Sequence, residues 1–232
     1  MSFQRLSAII GQKQLHTLAE KTVLIAGIGG VGSYACEALA RSGIGRLILV
    51  DYDSVDETNI NRQIIALHST IGLKKVDVMA ERIRDINLNV EVITHDCYLD
   101  ETTLSIIVQQ PVDMIVDAID SLPSKAWLIE TALKHDIPII SSMGFANKWH
   151  PEAICYAMLK KTHTDPVAKT LRRLMREKNI TQDIPVVFSS ETPSESHDES
   201  VRLGSTAFVP SVAGLFLGAY VIDYFTKKEI IL

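Results

Sequence analysis

The chain has 232 residues, 47% hydrophobic and 22% charged. That is enough for one packed α/β domain and too apolar for a disordered chain. With 23 Lys and Arg against 28 Asp and Glu, the net charge is −5, which excludes a surface that is basic throughout but not a local basic face.

In chain order, residues 1–20 read as a helical arm. Thr22 to Ile28 is a short β-branched run with the length and flanks of a buried strand. Val31 to Ser42 follows as a helix, and Arg46 to Val50 as a second strand ending at Asp51. Helices are predicted over Lys74–Ile86, Leu99–Gln109 and Ser124–His135, and strands over Val90–Thr94, Asp113–Ala118 and Ile137–Ser141. Strands alternating with helices specify a Rossmann-like, doubly wound, mainly parallel sheet covered on both faces. Beyond about residue 145 the pattern becomes irregular, with strands expected over Glu152–Leu159 and Pro185–Ser189 around a basic helix. The Ser-rich, acidic stretch from Ser189 to Ser200 is expected to be a mobile loop. The longest apolar run, Ala207 to Ile222, contains Pro210, Ser211, Gly214 and Gly218 and is closed by Asp223. It reads as a buried helix rather than a bilayer span, and no membrane partner is expected. The whole chain is expected to be one domain, with an arm (1–20), a nucleotide-binding core (21–145) and a substrate-side extension (146–232).

Strand one runs into a glycine loop, with GxGxxG at Gly27, Gly29 and Gly32 and an additional Gly30. Such a loop lets backbone approach a phosphate at a helix N-terminus. Asp51 ends the next strand, where a carboxylate accepts from ribose hydroxyls. These features point to a nucleotide, with NAD as the default. The residue after Gly32 is Ser33 where a P-loop needs Lys, so a triphosphate would need cations from elsewhere. Arg62 and Lys75 are the candidates, at the C-terminal edge of the sheet. Asp120 follows strand four at the same edge and suits Mg²⁺, which takes one or two carboxylates plus phosphate oxygens and waters. The alternative for Asp120 is a helix N-cap.

Taken together, these residues resemble the adenylating domain shared by ThiF, MoeB and the ubiquitin-activating enzymes. The matching stretches are Gly27–Gly32, Asp51-Tyr52-Asp53-Ser54-Val55, Thr58 to Gln63, Gly72-Leu73-Lys74-Lys75, and Asp117 to Asp120. Longer stretches, including Gly27–Gly45, Thr58–Gly72, Asp117–Ile129 and Thr164–Lys178, resemble the branch that dehydrates threonylcarbamoyladenosine in tRNA. That resemblance implies ATP-dependent activation of the nucleoside's side-chain carboxylate, next to the anticodon. The acyl-adenylate would close to a cyclic, oxazolone-type product, releasing AMP and pyrophosphate. It also implies that Gly27, Gly29, Gly30, Gly32, Asp51, Asp53, Asn59, Arg62, Gln63 and Lys75 form the ATP site and that Asp120 holds Mg²⁺. Arg5 would reach into the neighbouring protomer's site in a homodimer.

The segment Lys160–Lys178 has a net charge of +5, leaving −10 for the rest of the chain. Asp165 and Pro166 fit the N-cap and first position of a helix. Lys169, Arg172, Arg173 and Arg176 then share one face and form the candidate RNA contact, with no DNA partner expected. The three cysteines, Cys36, Cys97 and Cys155, form no CxxC pair and lie outside the 189–206 loop. They fit a reducing, cytoplasmic setting and argue against thioester transfer. The second reading is adenylation of a ubiquitin-like or sulfur-carrier partner, followed by a NAD-binding protein and a nucleotide sensor.

Overall fold

The computed structural model describes residues 3–198, 200 and 202–226. The arm comprises two helices, α1 (Gln4–Ile10) and α2 (Gln12–Ala19), separated at Gly11 with φ +85°. The alternating part of the chain then forms β1 (Thr22–Ala26), α3 (Gly32–Arg41), β2 (Arg46–Val50), α4 (Lys75–Ile86), β3 (Glu91–His95) and α5 (Glu101–Ile107). It continues through β4 (Met114–Asp117), α6 (Leu122–Lys134) and β5 (Ile139–Ser142). The remainder is β6 (Ile154–Met158), α7 (Pro166–Glu177), β7 (Pro185–Ser189) and α8 (Phe208–Thr226).

One seven-stranded sheet has the order β3-β2-β1-β4-β5-β7-β6, parallel throughout except for the β6–β7 pair. The irregular C-terminal part therefore extends the sheet: β7 lies parallel beside β5, and β6 closes the edge. Side chains alternate across each strand and enter two cores. Val23 and Ile25 of β1 join Leu47 and Leu49 of β2 on the face covered by α3, α4 and α8. Leu24, Ala26, Ile48 and Val50 join α6 and α7 on the other face. This explains why the strands read as continuous apolar runs rather than alternating ones.

Helix α8 runs without interruption through Pro210, Ser211, Gly214 and Gly218. A Cβ on Gly214 would meet Val31 O at 2.2 Å, and one on Gly218 would meet Ala38 Cβ at 2.6 Å. The two glycines therefore form the notch in which α8 lies against α3. It is the one helix among the described residues long and apolar enough to cross a membrane, and half of its apolar window is buried.

The C-terminal ends of β4 and β5 are joined by a buried ionic network. Lys125 Nζ donates to Asp117 Oδ2 at 2.8 Å, Ser141 Oγ at 3.3 Å and Ser142 O at 3.1 Å. Both charged side chains are buried, at 1% and 0% exposure. Ser141 Oγ also donates to Asp117 Oδ2, and the Ile119 N–H donates to Asp117 Oδ1 at 3.1 Å. The pair thus sets the path of the chain from β4 to Asp120. Removing one member of a buried pair strands the other charge and costs about 3–5 kcal/mol. Lys125→Met is expected to lower the urea midpoint accordingly, and adding Asp117→Asn should restore most of the loss. Equal stability of wild type and the single variant would contradict this role.

Candidate active site

Strands β1 and β4 sit side by side while their connections leave in opposite directions. An open α/β sheet has its crevice at that position, beyond the carboxyl ends of the strands. A cavity of about 510 Å³ opens there. Gly27, Gly29 and Gly30 line it, and Gly32 does not. The correction has a steric reason: a Cβ on Gly32 would lie 1.8 Å from Gly27 O, so this glycine serves the turn from β1 into α3. Gly27 has φ +88°, and its Cβ would meet Ala118 O at 2.6 Å. Gly29 and Gly30 are the two that leave backbone open to a ligand.

Asp51 is buried at the end of β2. Its Oδ2 accepts from the Ile28 N–H at 2.6 Å and its Oδ1 from the Asp53 N–H at 2.9 Å. Burial pushes its pKa up, with the two N–H donors acting against that shift. The carboxylate thereby fastens the glycine loop to β2 while keeping acceptor capacity for a hydroxyl. Lys75, buried at the start of α4, pairs with Asp53 Oδ2 at 2.7 Å. Both line the cavity, as do Asn59, Arg62 and Gln63.

The latter three come from a turn capped by Asp56, which accepts from the Thr58 N–H at 2.8 Å. Asn59 Oδ1 in return accepts from the Asp56 N–H at 3.2 Å. Arg62 Nη1 donates to Thr58 O at 2.7 Å and Asn61 Oδ1 at 2.8 Å, which aims the guanidinium. Gln63 Oε1 is buried with no hydrogen-bond partner among the described residues. An acceptor left so costs about 1–3 kcal/mol, and a ligand donor in the cavity would satisfy it.

Asp120 lies on the cavity wall, exposed. The helix N-cap is Ser121 rather than Asp120. Among the described residues no group of three His, Cys, Asp or Glu could cage a metal. An exposed single carboxylate on the wall of this cavity fits the sparse protein ligation of Mg²⁺.

Several wall residues are not evident from motifs. Tyr52 and Tyr98 meet edge to face at 5.2 Å on the cavity wall that also carries Asp51, and Tyr98 Oη lies 3.0 Å from Ser121 Oγ. Leu203, Gly204 and Ser205 close the opposite side. Within the 189–200 stretch, expected to be mobile, Ser194 has a fixed attachment, and so do Arg202, Gly204 and Ser205 beyond it. Asn147, at φ +57°, accepts from the Gly204 N–H at 2.6 Å and donates to Arg202 O at 3.2 Å, and its carbonyl accepts from the Ser194 N–H at 2.8 Å. Asn61 holds Ser205 O at 3.0 Å. Nearby, Lys148 Nζ pairs with Asp165 Oδ2 at 3.0 Å, both buried. Asp165 caps α7 through the Ala168 N–H at 2.9 Å and also accepts from the Gly144 N–H at 3.1 Å. The start of the basic helix is thus bolted to the cavity wall. For Lys125 the signal in the sequence is a Lys within a predominantly apolar stretch eight residues after Asp117, whereas the partner of Lys148 lies 17 residues away and has no local signal.

On α7, Lys169, Arg173 and Arg176 are exposed, with Arg173 paired to Glu177 at 2.6 Å. Arg172 differs from its neighbours. Its Nη1 donates to Leu159 O, Thr162 O and Thr162 Oγ1, so it holds the turn after β6 and is not a free surface cation. Arg5 is exposed on α1 and is not among the residues lining the cavity of its own chain. Cys97 is on the cavity wall, Cys36 is in the core, and Cys155 is in β6. Burial raises the pKa of all three thiols, and Asp96 and Asp100 add to that at Cys97. None is activated as a nucleophile.

The sequence profile of the ThiF family matches residues 2–231. A tRNA threonylcarbamoyladenosine dehydratase of Bacillus subtilis is 45% identical, over 95% of this chain and 92% of its own length. The crystal structure of the Escherichia coli tRNA N6-threonylcarbamoyladenosine dehydratase, TcdA, in complex with ATP superposes with a TM-score of 0.91 at 33% identity, covering 97% of this chain and 93% of that one. The AMP complex of the same enzyme gives a TM-score of 0.91 at 33% identity, over 95% and 92%. The chain is a member of the ThiF family.

Proposed function

We propose that this protein is an ATP-dependent tRNA threonylcarbamoyladenosine dehydratase. The observation that carries the reading is the cavity itself. It combines an open glycine loop, the Asp51 carboxylate, two cations at Arg62 and Lys75, and Asp120 at one switch point. A NAD site needs the first two and has no use for the rest. The relatives of known structure bind ATP and AMP, and the B. subtilis relative bears the dehydratase name along nearly its whole length.

In this reading Asp51 accepts from the ribose, with Tyr52 and Tyr98 beside the base. Gly29 and Gly30 present backbone to the phosphates, and Asn59 and Gln63 add amide groups. The substrate carboxylate attacks the α-phosphorus, forming the acyl–phosphate bond and expelling pyrophosphate. Charge grows on the phosphate oxygens, where Arg62 and Lys75 stand ready. The carbamoyl group then closes on the acyl carbon. AMP leaves with one carboxylate oxygen, and a carbamoyl N–H gives up its proton, so the nucleoside loses one water in sum. Positioning and cations suffice, and no protein nucleophile is needed. Mg²⁺ would be held by Asp120 and would neutralise charge on the bound phosphates.

Arg5 is assigned to the partner's cavity in a homodimer. In support, α1 and α8 share a shallow apolar groove, with Ile9 72% and Leu215 46% exposed. The second reading, adenylation of a carrier protein, shares the first half-reaction. The protonated state of all three thiols disfavours the branch that goes on to a thioester. A tRNA substrate and three free cysteines support a cytoplasmic setting for the activity.

Incubation with ATP, Mg²⁺ and tRNA bearing threonylcarbamoyladenosine is expected to reduce that nucleoside's mass by one water, with AMP appearing in equal amount. Asp120→Ala should reduce the rate by at least about 100-fold. No mass change, together with pyrophosphate exchange stimulated by a carrier protein, would favour the second reading. For RNA docking, the triple change Lys169→Glu, Arg173→Glu, Arg176→Glu is the informative one, since Arg172 is structural. It should weaken tRNA binding at low salt and flatten the salt slope by roughly 0.7–0.9 for each phosphate that is no longer neutralised. An unchanged slope would remove α7 from the interface.

A further inference from the structure

Three residues beyond the cavity wall at Ala146, Trp149 stands 64% exposed. Its ring meets Phe208 edge to face, at 5.2 Å and 88°. Phe208 is 38% exposed and opens α8 between the cavity-lining Ser205 and Pro210, while the neighbouring Leu203 is 68% exposed. A surface tryptophan of this kind is costly in water, yet its backbone is held firmly. Glu191 accepts from the Trp149 N–H at 2.9 and 3.1 Å and from the His150 N–H at 2.9 Å. Lys148 on its other side is buried in the pair with Asp165. Phe208 in turn stands on the helix seated against α3. The aromatic pair is therefore a rigid platform on the rim of the cavity.

The geometry points to this platform as a stacking site for a nucleobase of the RNA substrate next to the modified nucleoside. The inference rests on the proposed function, and extends it from the reacting nucleoside to its neighbour in the strand. Single-stranded RNA is recognised chiefly by splayed bases stacking on aromatic rings, with cations following the backbone. Both parts are present. The T-shaped contact uses the edge of one ring and a single face of the other, and the exposure of Trp149 leaves ring surface open to a base. Arg202 is exposed, and its carbonyl accepts from the side-chain amide of Asn147, two residues before Trp149 in the chain, at 3.2 Å. The Lys148–Asp165 pair ties the segment that carries Trp149 to the start of the basic helix α7, on which Lys169, Arg173 and Arg176 are exposed. The acidic neighbour Glu191 is already engaged by two backbone N–H groups. The occupant is a base rather than a second protein because the patch is small and abuts the substrate cavity, where the flanking nucleotides of any tRNA substrate must lie.

The protein has two tryptophans, so a Trp127→Phe background makes Trp149 the sole emitter. Titration with an anticodon stem-loop RNA is expected to quench that emission. In steady-state assays on tRNA bearing threonylcarbamoyladenosine, Trp149→Ala should raise KM for tRNA by roughly 5- to 100-fold. The dissociation constant for ATP and the kcat at saturating tRNA should be unchanged, and Trp149→Phe should restore most of the loss. Active wild type with no quenching and an unaltered KM in Trp149→Ala would overturn the proposal. So would a Trp149 emission that shifts to the blue with protein concentration in the absence of RNA, since the pair would then be an interface between copies. If wild type leaves the nucleoside unchanged, the proposed function falls by itself. Quenching by stem-loop RNA then still supports RNA stacking at the platform, and its absence overturns that as well.

Discussion

A single carboxylate organises the site. Asp51 takes the Ile28 N–H on one oxygen and the Asp53 N–H on the other, at 2.6 and 2.9 Å. Hydrogen bonds to an ionised acceptor are the strong ones, roughly twice as strong as neutral pairs. They tie the turn after β1 to the end of β2, so the glycine loop is held in shape before any ligand arrives. The same bonds place Asp53 where it orients the Lys75 ammonium. The glycine loop and the Lys75 ammonium are thus both positioned from one carboxylate at the sheet's carboxyl edge.

The rest of the sheet fixes the other wall. The Asp117–Lys125 pair sets the chain between β4 and Asp120, and Lys148–Asp165 anchors the segment that follows β5. Two buried ion pairs in one small protein would be a poor way to gain stability, since desolvation offsets most of the attraction. Their effect is positional: each fastens a cavity-lining loop to a helix start. Rigid supports of this kind suit a reaction whose catalysis consists of placing two reactants and cations in register.

Much of this was legible in the sequence because it rests on local rules. Strands β1, β2 and β4 are short apolar runs ended by Asp or Gly, and β7 spans Pro185–Ser189, the bounds its apolar run predicts. Gly27, Asp51, Arg62, Lys75 and Asp120 come from separate segments, but each sits at the carboxyl edge, and the strand order converges them. What was not legible depends on long-range packing. Gly32 has the loop's spacing yet faces Gly27 O, so its role is steric. Arg172 has the helical phase of a surface cation, but the turn at Thr162 folds beneath it. The Ser-rich stretch gives no local sign of attachment because Ser194 is held by Asn147, 47 residues away in sequence, and the residues after it are held by Asn147 and Asn61.

The central claim is that ATP activates a carboxylate of the nucleoside as an acyl-adenylate. Tracing oxygen tests it most directly. tRNA carrying threonylcarbamoyladenosine labelled with ¹⁸O in its side-chain carboxylate is converted with ATP, and the nucleotide products are weighed. Acyl-adenylate formation puts one ¹⁸O in AMP for each cyclised nucleoside, with none in pyrophosphate. Label in inorganic phosphate alongside ADP, or cyclised product with unlabelled AMP, would contradict it.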